Sequence, residues 1–325
     1  MRPVALTDID FVGQGLHRPE CVLATASGRL FASDWAGGVA AVAADGQVTR
    51  YLAQAGAGPE GGLKPNGIAL RRDGSFLIAH LGAEAGGVFS LQRDGTLAPV
   101  IAEVEGAILP PTNFVMEDTG GRIWVTVSTR LVPRDRGYRL DNADGFILVH
   151  DKAGTRIVAD SLGYTNEIAV DPSGEWLYVN ETFVRRMSRF RLRAGGALGP
   201  RETVTEFGSG TFPDGLAFDA EGAAWIVSIV SNRVVRVLPG GRQEVVLEDS
   251  DPEHLAWVEA AYRNGGLGRP HLDGIKAKRL RNVSSLAFGG ADLKTVYLGC
   301  LLGAAIAKFR SPVAGHPPTH WTYDS

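Results

Sequence analysis

The sequence predicts an all-β fold, a six-bladed β-propeller with four-stranded blades. Three observations support this prediction: six segments align without gaps, each segment has the pattern of a β-hairpin, and the segments recur at long, fairly regular spacings. Four-stranded units that repeat every ~40–50 residues are typical of propeller blades rather than of solenoid coils.

The repeat is visible as a shared polar position and a shared glycine. The aligned segments, each fifteen residues long, begin at Pro19, Pro65, Thr112, Thr165, Pro213 and Val283. The second residue of each segment, called the marker here, is short and polar: Glu20, Asn66, Asn113, Asn166, Asp214 and Ser284. Five segments carry glycine eight residues after the marker, at Gly28, Gly74, Gly121, Gly174 and Gly222, and the sixth has Asp292. The markers are 46, 47, 53, 48 and 70 residues apart.

Each segment is an apolar run, a tight turn and a second run rich in β-branched or aromatic residues, which indicates two antiparallel strands. A second hairpin follows in most units and completes four strands. The sixth unit has room for only three strands. Residues 5–12 alternate like a strand, so we expect them to add its outer strand and close the ring. The whole chain, 1–325, is then a single propeller domain.

Two insertions interrupt the even spacing, at 130–143 and at 248–281. Strand parity predicts that both lie on the face of the ring where the markers lie, and long loops of this kind are often functional. The sequence of the second insertion, between blades five and six, predicts a short helix over 252–263. Asp251 is its N-cap and Pro252 lies in its first turn. The sequence does not indicate where the tail from Ser311 onward lies.

Composition excludes several classes of protein. Hydrophobic residues make up 44% of the chain, which is too much for a disordered protein, and the 42 glycines follow no three-residue period as in collagen. A net charge of -3 argues against a nucleic-acid partner. The N-terminus lacks an apolar signal segment and no apolar run approaches the ~18 residues of a membrane span, so we expect a cytoplasmic protein without a membrane partner.

Four markers predict a metal site. Glu20, Asn113, Asn166 and Asp214 begin the inner strands of different blades, so their side chains converge on one mouth of the central channel. Two carboxylates and two amide oxygens suit Ca²⁺ best, with Mg²⁺, Mn²⁺ or Zn²⁺ as alternatives, although the absence of His and Cys argues against a dedicated structural zinc site. The other interpretation is that these short polar residues end strands and bond to the backbone.

These residues resemble the senescence marker protein (regucalcin)/gluconolactonase family of six-bladed propellers over nearly the whole chain. The matching motifs include Glu20 before the first inner strand, Asn166-x-Ile-Ala-x-Asp and the PDGLAFD run around Asp214. The resemblance implies one divalent cation at the channel mouth, hydrolysis of a lactone, and Asp214 as the general base. Two departures stand out. Glu20 is followed by Cys-Val rather than Gly-Pro, and Asn113 lacks the neighbouring Arg and Asp of animal-type members, in which the Arg contacts the sugar lactone.

Further side chains on or near the same face are candidates for contacting substrate. These are Asn66, Phe114, Arg130, Tyr138, Glu181, Arg185 and His271. Arginines crowd the loops of blades three and four, Arg134, Arg136, Arg139 and Arg186 among them, and several could bind an anionic group, although most loop arginines are simply solvated.

The sequence therefore predicts a metal-dependent hydrolase of small molecules, most simply a lactonase. One alternative is hydrolysis of an organophosphate or ester at the same metal. The other, from a different functional class, is a non-enzymatic propeller that serves as a calcium-binding scaffold. The oligomeric state is left open.

Overall fold

A computed structural model, in which residues 1–324 are described, has six four-stranded antiparallel sheets and confirms the predicted six-bladed propeller. Blade one contains β2 (Val22–Ala24), β3 (Leu30–Asp34), β4 (Gly38–Val42) and β5 (Val48–Leu52). Blade two contains β6 (Pro65–Leu70), β7 (Phe76–His80), β8 (Val88–Leu91) and β9 (Leu97–Ile101). Blade three contains β12 (Phe114–Glu117), β13 (Ile123–Val127), β14 (Gly145–Asp151) and β15 (Gly154–Leu162).

The second half of the ring has longer strands. Blade four contains β16 (Thr165–Val170), β17 (Trp176–Glu181), β18 (Arg186–Leu192) and β19 (Leu198–Glu206). Blade five contains β20 (Phe212–Phe218), β21 (Ala224–Ile229), β22 (Arg233–Val237) and β23 (Gln243–Glu248). Blade six contains β24 (Val283–Gly289), β25 (Thr295–Cys300), β26 (Ile306–Arg310) and, from the N-terminus, β1 (Asp10–Val12).

The pairing of β1 with β26 closes the ring as predicted, with Phe11 opposite Ala307. The N-terminal strand is shorter than the alternating pattern of 5–12 suggested, because Leu6–Asp8 form one turn of 3₁₀ helix before it. A small hairpin of β10 (Glu103–Val104) and β11 (Ala107–Ile108) joins blades two and three and was not predicted. Its strands are two residues long, too short for any period to appear in the sequence.

The repeated glycines lie in the turn between the first two strands of their blades. All five have positive φ, between 73° and 83°, a backbone conformation that residues with a Cβ rarely adopt. This requirement explains why glycine recurs eight residues after the marker.

The markers lie where the inner strands are irregular. Register shifts between the first and second strands span Asn66, Asn166, Asp214 and Ser284, while Asn113 and Glu20 lie just before their strands begin. A β-bulge re-aims a side chain out of the regular alternation. At Asp214 the next residue is Gly215, where a Cβ would lie 2.5 Å from the Cα of Ser285 in the neighbouring blade. The Asp-Gly pair thus allows the two inner strands to approach closely at the bulge.

The second insertion contains the predicted helix α1 (Pro252–Arg263), whose N-cap Asp251 accepts a hydrogen bond from the amide of His254 at 2.8 Å. A second helix, α2 (Arg269–Asp273), follows it and was not predicted, because five residues carry no helical period. In the first insertion Arg134–Gly137 form a 3₁₀ turn, and Ala194–Gly196 form another in blade four. No helix within residues 1–324 is long and apolar enough to cross a membrane.

The C-terminal tail crosses the face of the ring opposite the markers. The amide of Ala220 in blade five donates to the carbonyl of Ala314, and the amide of Ala26 in blade one donates to that of Trp321. Asp324 forms ion pairs with Arg29 and Arg93, from blades one and two. Residues 316–320 line a cavity of about 400 Å³ together with inner-strand residues of all six blades. The tail therefore covers the far end of the channel.

Candidate active site

The marker face contains a cavity of about 400 Å³ that is lined by all four residues predicted to bind a metal, Glu20, Asn113, Asn166 and Asp214. Both insertions contribute walls to this cavity, the first with residues 133–135 and 138, the second with residues 269 and 272. The volume lies near the lower end of the range for small-molecule sites, roughly 300–1,000 Å³. The ring thus brings together side chains that are up to 194 residues apart (214 − 20).

Asp214 is the most unusual group in the cavity. Its residue is only 4% exposed, and its carboxylate makes no hydrogen bond or ion pair within residues 1–324. Burial raises the pKa of Asp214 well above its usual range, and the nearby Glu20 and Glu167 carboxylates raise it further, against the opposing effect of Arg134 and Arg18. A buried carboxylate without a partner is costly unless a cation or a proton compensates its charge.

Glu20 is held from one side. The guanidinium of Arg18 contacts its Oε2 through Nε at 3.0 Å and through a terminal nitrogen at 2.8 Å. Arg18 in turn lies over the ring of Trp35, with its Cζ 4.4 Å from the ring centroid. The other carboxylate oxygen of Glu20 accepts no hydrogen bond within the described residues, so it is available to a ligand in the cavity.

The carboxamides of Asn113 and Asn166 belong to a chain of hydrogen bonds that runs across blades two to five. Asn66 donates to Oδ1 of Asn113 at 2.9 Å, Asn113 donates to Oδ1 of Asn166 at 2.7 Å, and Asn166 donates to the hydroxyl of Thr182 at 3.1 Å. The Thr182 hydroxyl then donates to the carbonyl of Pro213, beside Asp214. Each amide is therefore oriented by its neighbours, and a carbonyl oxygen can accept more than one bond.

Blade four also holds the backbone of Asp214. The side-chain amide of Asn180, which is fully buried, donates to the carbonyls of Asp214 at 2.9 Å and of Gly215 at 3.1 Å. Together with Thr182 it supports the bulge from which the Asp214 side chain enters the cavity.

This donor set fits a divalent cation. Two carboxylates, one of them buried without a partner, lie with two amide oxygens in one cavity, and such hard oxygen donors are typical of Ca²⁺ and Mg²⁺ sites. Within residues 1–324 no cluster of three or more His, Cys, Asp or Glu side chains is placed to hold a metal, so amide oxygens would have to complete the coordination.

Aromatic side chains form one wall. Tyr138, from the first insertion, packs on Phe183 with ring centroids 4.6 Å apart and on Tyr164 at 5.4 Å. All three rings line the cavity and all three are at least 96% buried. Of the seven side chains predicted to contact substrate, Tyr138 is the one that the structure places in this cavity.

Asn66 and Phe114 lie close to the cavity but do not line it. Asn66 lies behind Asn113, which it orients, and its own Oδ1 is buried with no hydrogen-bond partner among residues 1–324. Phe114 follows Asn113 in the inner strand of blade three, so its side chain points the other way, into the far cavity and the packing between blades. The alternation of the strand explains the difference.

The predicted charged residues outside the cavity are all paired with other side chains. Arg130 is exposed and forms an ion pair with Asp160 at 2.8 Å. Glu181 is fully buried and binds Arg186 through two hydrogen bonds of 2.8 and 2.7 Å. Arg185 forms an ion pair with Glu259 of α1 and lies between the rings of Phe212 and Tyr262. The first two contacts lie within blades three and four, and the third joins blade four to helix α1.

His271 lies on α2 and stacks on Trp257 with centroids 4.1 Å apart. Its Nδ1 contacts the backbone of Gly268, and the ring is not part of the cavity wall. Within the structure it joins the two helices of the second insertion.

Three arginines line the cavity, Arg18, Arg134 and Arg269. Arg18 and Arg269 were not predicted to contact substrate, whereas Arg134 was one of several loop arginines considered for an anionic group. Arg18 carried one local signal, since it lies two residues before the marker Glu20. Arg134 belonged to the arginine-rich first insertion, but nothing in the sequence distinguished it from Arg130, Arg136 or Arg139. Arg269 depends on a helix that the sequence did not predict.

Deeper in the channel lies Glu167, the residue after the marker Asn166. Burial raises its pKa to about 8, although the amide of Leu216 donates to its carboxylate at 2.9 Å and partly opposes the rise. Cys21 is buried nearby, and burial raises the pKa of its thiol, so it remains protonated near neutral pH and is not an activated nucleophile.

Comparison with known proteins finds a matching family model and a curated relative. A family model described as the SMP-30/gluconolactonase/LRE-like region matches residues 18–264, which contain all four of the predicted metal-binding residues. A curated relative, the 6-deoxy-6-sulfogluconolactonase of Pseudomonas putida, is 29% identical over 234 residues, which cover 71% of this chain and 67% of that protein.

Solved structures share the fold. A gluconolactonase from Xanthomonas campestris is 19% identical, with a TM-score of 0.67 over 94% of this chain and 89% of that one. A calcium-binding regucalcin from Agrobacterium tumefaciens is 17% identical, with a TM-score of 0.66 over 94% of this chain and 96% of that one. At these identities the structural likeness concerns the fold alone.

Proposed function

Because this chain belongs to the SMP-30/gluconolactonase/LRE-like family, we propose that it is a divalent-metal-dependent lactonase that opens a sugar or related small-molecule lactone to its hydroxy acid. The observation that carries the proposal is Asp214, a buried carboxylate that has no side-chain partner in the described part of the chain and shares a small cavity with Glu20 and two oriented carboxamides. The relative from Pseudomonas putida, which is named for a lactone substrate, supports the same substrate class.

Glu20, Asn166 and Asp214 would hold the cation, with Asn113 beside them, and Ca²⁺ suits their oxygen donors best. When bound, a divalent cation supplies Lewis-acid polarisation of the substrate carbonyl. The chain itself supplies orientation: Arg18 fixes Glu20, Asn66 fixes Asn113, and Asn180 with Thr182 fixes the backbone beside Asp214.

Asp214 is the proposed general base. One carboxylate oxygen accepts a proton from the water that attacks the lactone carbonyl, and the proton then passes to the ring oxygen as the carbon–oxygen bond breaks. Water and lactone together give one hydroxy acid, so the reaction needs no other reactant. Burial and the neighbouring carboxylates raise the pKa of Asp214, which strengthens it as a base, whereas a bound cation has the opposite effect.

The aromatic wall completes the site. Tyr138, Tyr164 and Phe183 present ring surfaces to the cavity and limit the space for water around a bound sugar ring. A small organic molecule is therefore the proposed partner.

The test measures acid release from D-glucono-δ-lactone and a panel of other lactones, corrected for spontaneous hydrolysis. We expect turnover with Ca²⁺, loss of turnover after chelation, and recovery when Ca²⁺ is restored. Asp214→Asn should lower kcat by at least about 100-fold, within the range for loss of a general base. Its thermal unfolding should still be cooperative. Asp94→Asn, an exposed turn substitution on the opposite face, is the matched control and should retain wild-type kcat.

Other outcomes would contradict the proposal in different ways. Turnover of a phosphotriester such as paraoxon, with none on any lactone, would make the protein a metal-dependent phosphotriester hydrolase. Tight Ca²⁺ binding without turnover on either panel would make it a calcium-binding scaffold. Near-native kcat in Asp214→Asn would remove Asp214 from the role of base.

A further inference from the structure

We propose that Arg134 forms an anion-binding subsite in the wall of the cavity, and that the lactone opened there carries an anionic group away from its reacting carbonyl. The inference rests on the proposed lactonase function and specifies its substrate class. The inference comes from comparing the carboxylate partners of the three guanidinium groups that line the cavity, those of Arg18, Arg134 and Arg269.

Two of these three groups already have carboxylate partners. Arg18 binds Glu20, and Arg269 binds Asp273 through two contacts of 3.0 and 2.6 Å. Arg134 forms no ion pair within residues 1–324, although it lies in the cavity and is partly buried. Most other arginines in the same insertions and neighbouring loops, such as Arg130, Arg139 and Arg185, are paired.

Arg134 is nevertheless held in place. Its Nε donates to the hydroxyl of Tyr164 at 2.8 Å, and its Cζ lies 5.4 Å from the centroid of that ring. Tyr164 is 2% exposed and is itself fixed by blade four, where the amide of Thr182 donates to its carbonyl. The Nη1 and Nη2 atoms of Arg134 make no hydrogen bond to any described residue. The group is thus oriented at one nitrogen and free at the other two.

The charges around the cavity favour an anion at this position. Three carboxylates line it: Glu20 and Asp214, which we assign to the cation, and Asp135. A divalent cation offsets the first two carboxylates, which leaves Asp135 as the one remaining acidic side chain in a lining that also contains Arg18, Arg134 and Arg269. A neutral sugar lactone would leave Arg134 without a counter-charge. A phosphate, sulfonate or carboxylate group could accept two parallel hydrogen bonds from Nη1 and Nη2.

The two ends of the site are therefore distinct. The reacting carbonyl lies at the end formed by Glu20 and Asp214, and the anionic group lies against Arg134, on the wall supplied by the first insertion. Arg134, Glu20 and Asp214 line the same cavity of about 400 Å³, so one small substrate can reach both ends.

The first test compares kcat/KM for three lactones with Ca²⁺ present: D-glucono-δ-lactone, its 6-phosphate and its 6-deoxy-6-sulfonate. The wild-type protein should prefer at least one anionic lactone, and the phosphate and sulfonate arms identify which group it takes. Arg134→Gln should lower the ratio of anionic to neutral kcat/KM by about 10- to 100-fold, the value of hydrogen bonds to a charged group. Arg134→Lys keeps the positive charge but loses the planar pair of terminal N–H donors. Its ratio of anionic to neutral kcat/KM should lie between those of the wild type and Arg134→Gln.

Arg136→Gln is the matched control. Arg136 lies on the same 3₁₀ turn, is exposed, and points outside the cavity, so this variant loses the same charge at nearly the same place. Its selectivity ratio should equal that of the wild type. If Arg134→Gln keeps the wild-type ratio, or if Arg136→Gln loses it equally, the subsite is not at Arg134.

A second readout does not depend on turnover. Calorimetric titration compares D-gluconate with 6-phospho-D-gluconate and 6-deoxy-6-sulfo-D-gluconate, which share the carboxylate and differ in the added anionic group. The wild type should bind at least one of the latter about tenfold more tightly or better, and Arg134→Gln should lose that preference.

The two readouts separate the two proposals. Lactone turnover with an unchanged ratio in Arg134→Gln overturns the subsite and leaves the lactonase standing. If no lactone is turned over, but the wild type binds an acid with an added anionic group more tightly and Arg134→Gln loses this preference, the lactonase proposal is overturned and the anion subsite remains. Equal binding of all three acids by the wild type overturns the subsite whatever the turnover.

Discussion

At the scale of single residues, the site depends on side chains that support the bulge at Asp214 and are not themselves proposed ligands of the cation. Asn180 and Thr182 follow one another closely in blade four and bond to the backbone of blade five on either side of Asp214. Metal ligands generally need such supporting contacts to hold their orientation, and loss of one commonly lowers metal affinity 10- to 100-fold. The bulge at Asp214 would otherwise be free to relax.

Asn180→Ala tests this support. The substitution removes the donor to the carbonyls of Asp214 and Gly215, and we expect Ca²⁺ affinity and kcat/KM to fall about 10- to 100-fold. The free energy of unfolding should fall by about 1–3 kcal/mol, because buried carbonyls lose a partner. Calcium titration and urea unfolding measure the two effects.

Asn232→Ala is the control for destabilisation alone. Asn232 is equally buried, and its side chain bonds to the backbone of Asp249 and Val283, away from the cavity. It should lose stability and keep wild-type Ca²⁺ affinity. If Asn180→Ala also keeps that affinity, Asn180 has no positioning role.

At the scale of elements, helix α1 is joined to the ring by one ion pair inside an aromatic cluster. Glu259 lies beside Val258 and Tyr262 on the buried side of the helix, and the structure shows why a charged residue is found there. Its carboxylate binds the Arg185 guanidinium and accepts the amide of Gly210 at 2.7 Å. Tyr262, one turn further on, covers Arg185 and donates to the carbonyl of Phe183. The helix thereby helps to fix Phe183, a wall of the cavity.

Glu259→Gln should therefore destabilise the protein strongly. The Arg185 and Glu259 side chains are 11% and 10% exposed, so neutralising one partner leaves the other charge nearly buried, at a cost of about 3 kcal/mol. Urea unfolding measures the loss. The double variant Arg185→Met/Glu259→Met should recover most of it, since an apolar pair leaves no buried charge.

An exposed pair supplies the comparison. Arg191 and Glu175 are both more than half exposed, so Glu175→Gln should change the free energy of unfolding by less than about 1 kcal/mol. If Glu259→Gln behaves like Glu175→Gln, the ion pair does not hold the helix.

At the scale of the whole molecule, both ends of the chain secure the ring. The N-terminal strand completes blade six, and the tail crosses the far face from blade five to blade two. His320 lies at the channel end of this tail. The residue retains some exposure, but its Nε2 atom is fully buried and has no hydrogen-bond partner within residues 1–324. Burial lowers the pKa of His320 from 6.5 to about 4.

The lowered pKa predicts loss of stability in acid. Protonation of His320 favours the unfolded chain. The contribution of His320 to the free energy of unfolding is therefore fully present above pH 6.5 and is lost as the pH falls toward 4. At pH 5 the loss from His320 should be about 2 kcal/mol. His320→Phe keeps a ring without a titrating group. Its free energy of unfolding, measured with urea, should therefore differ correspondingly less between pH 7 and pH 5 than that of the wild type.

His316→Gln is the control in the same tail, because His316 is exposed, and it should retain the wild-type pH dependence. His80 also has a pKa lowered by burial, to about 4, so some acid sensitivity should remain in every variant. If the free energy of unfolding of His320→Phe decreases from pH 7 to pH 5 as much as that of the wild type, the tail is not held by a neutral His320.

The sequence by itself determined the six blades, the closing strand, helix α1 and the positions of the four markers, because strand alternation, turn glycines and a helix cap are local patterns that repeat. It could not decide which side chains bind each other. Arg185 pairs with Glu259 across 74 residues, and the tail reaches the far end of the channel. Arg134 has no carboxylate partner within residues 1–324. Only the tertiary structure decides such pairings, because they depend on distances in space between loops that no local period relates. Among the described residues, the lack of a carboxylate partner together with a place in the cavity wall singles out Arg134 from the other loop arginines, and Asp214 in the same cavity likewise has no side-chain partner.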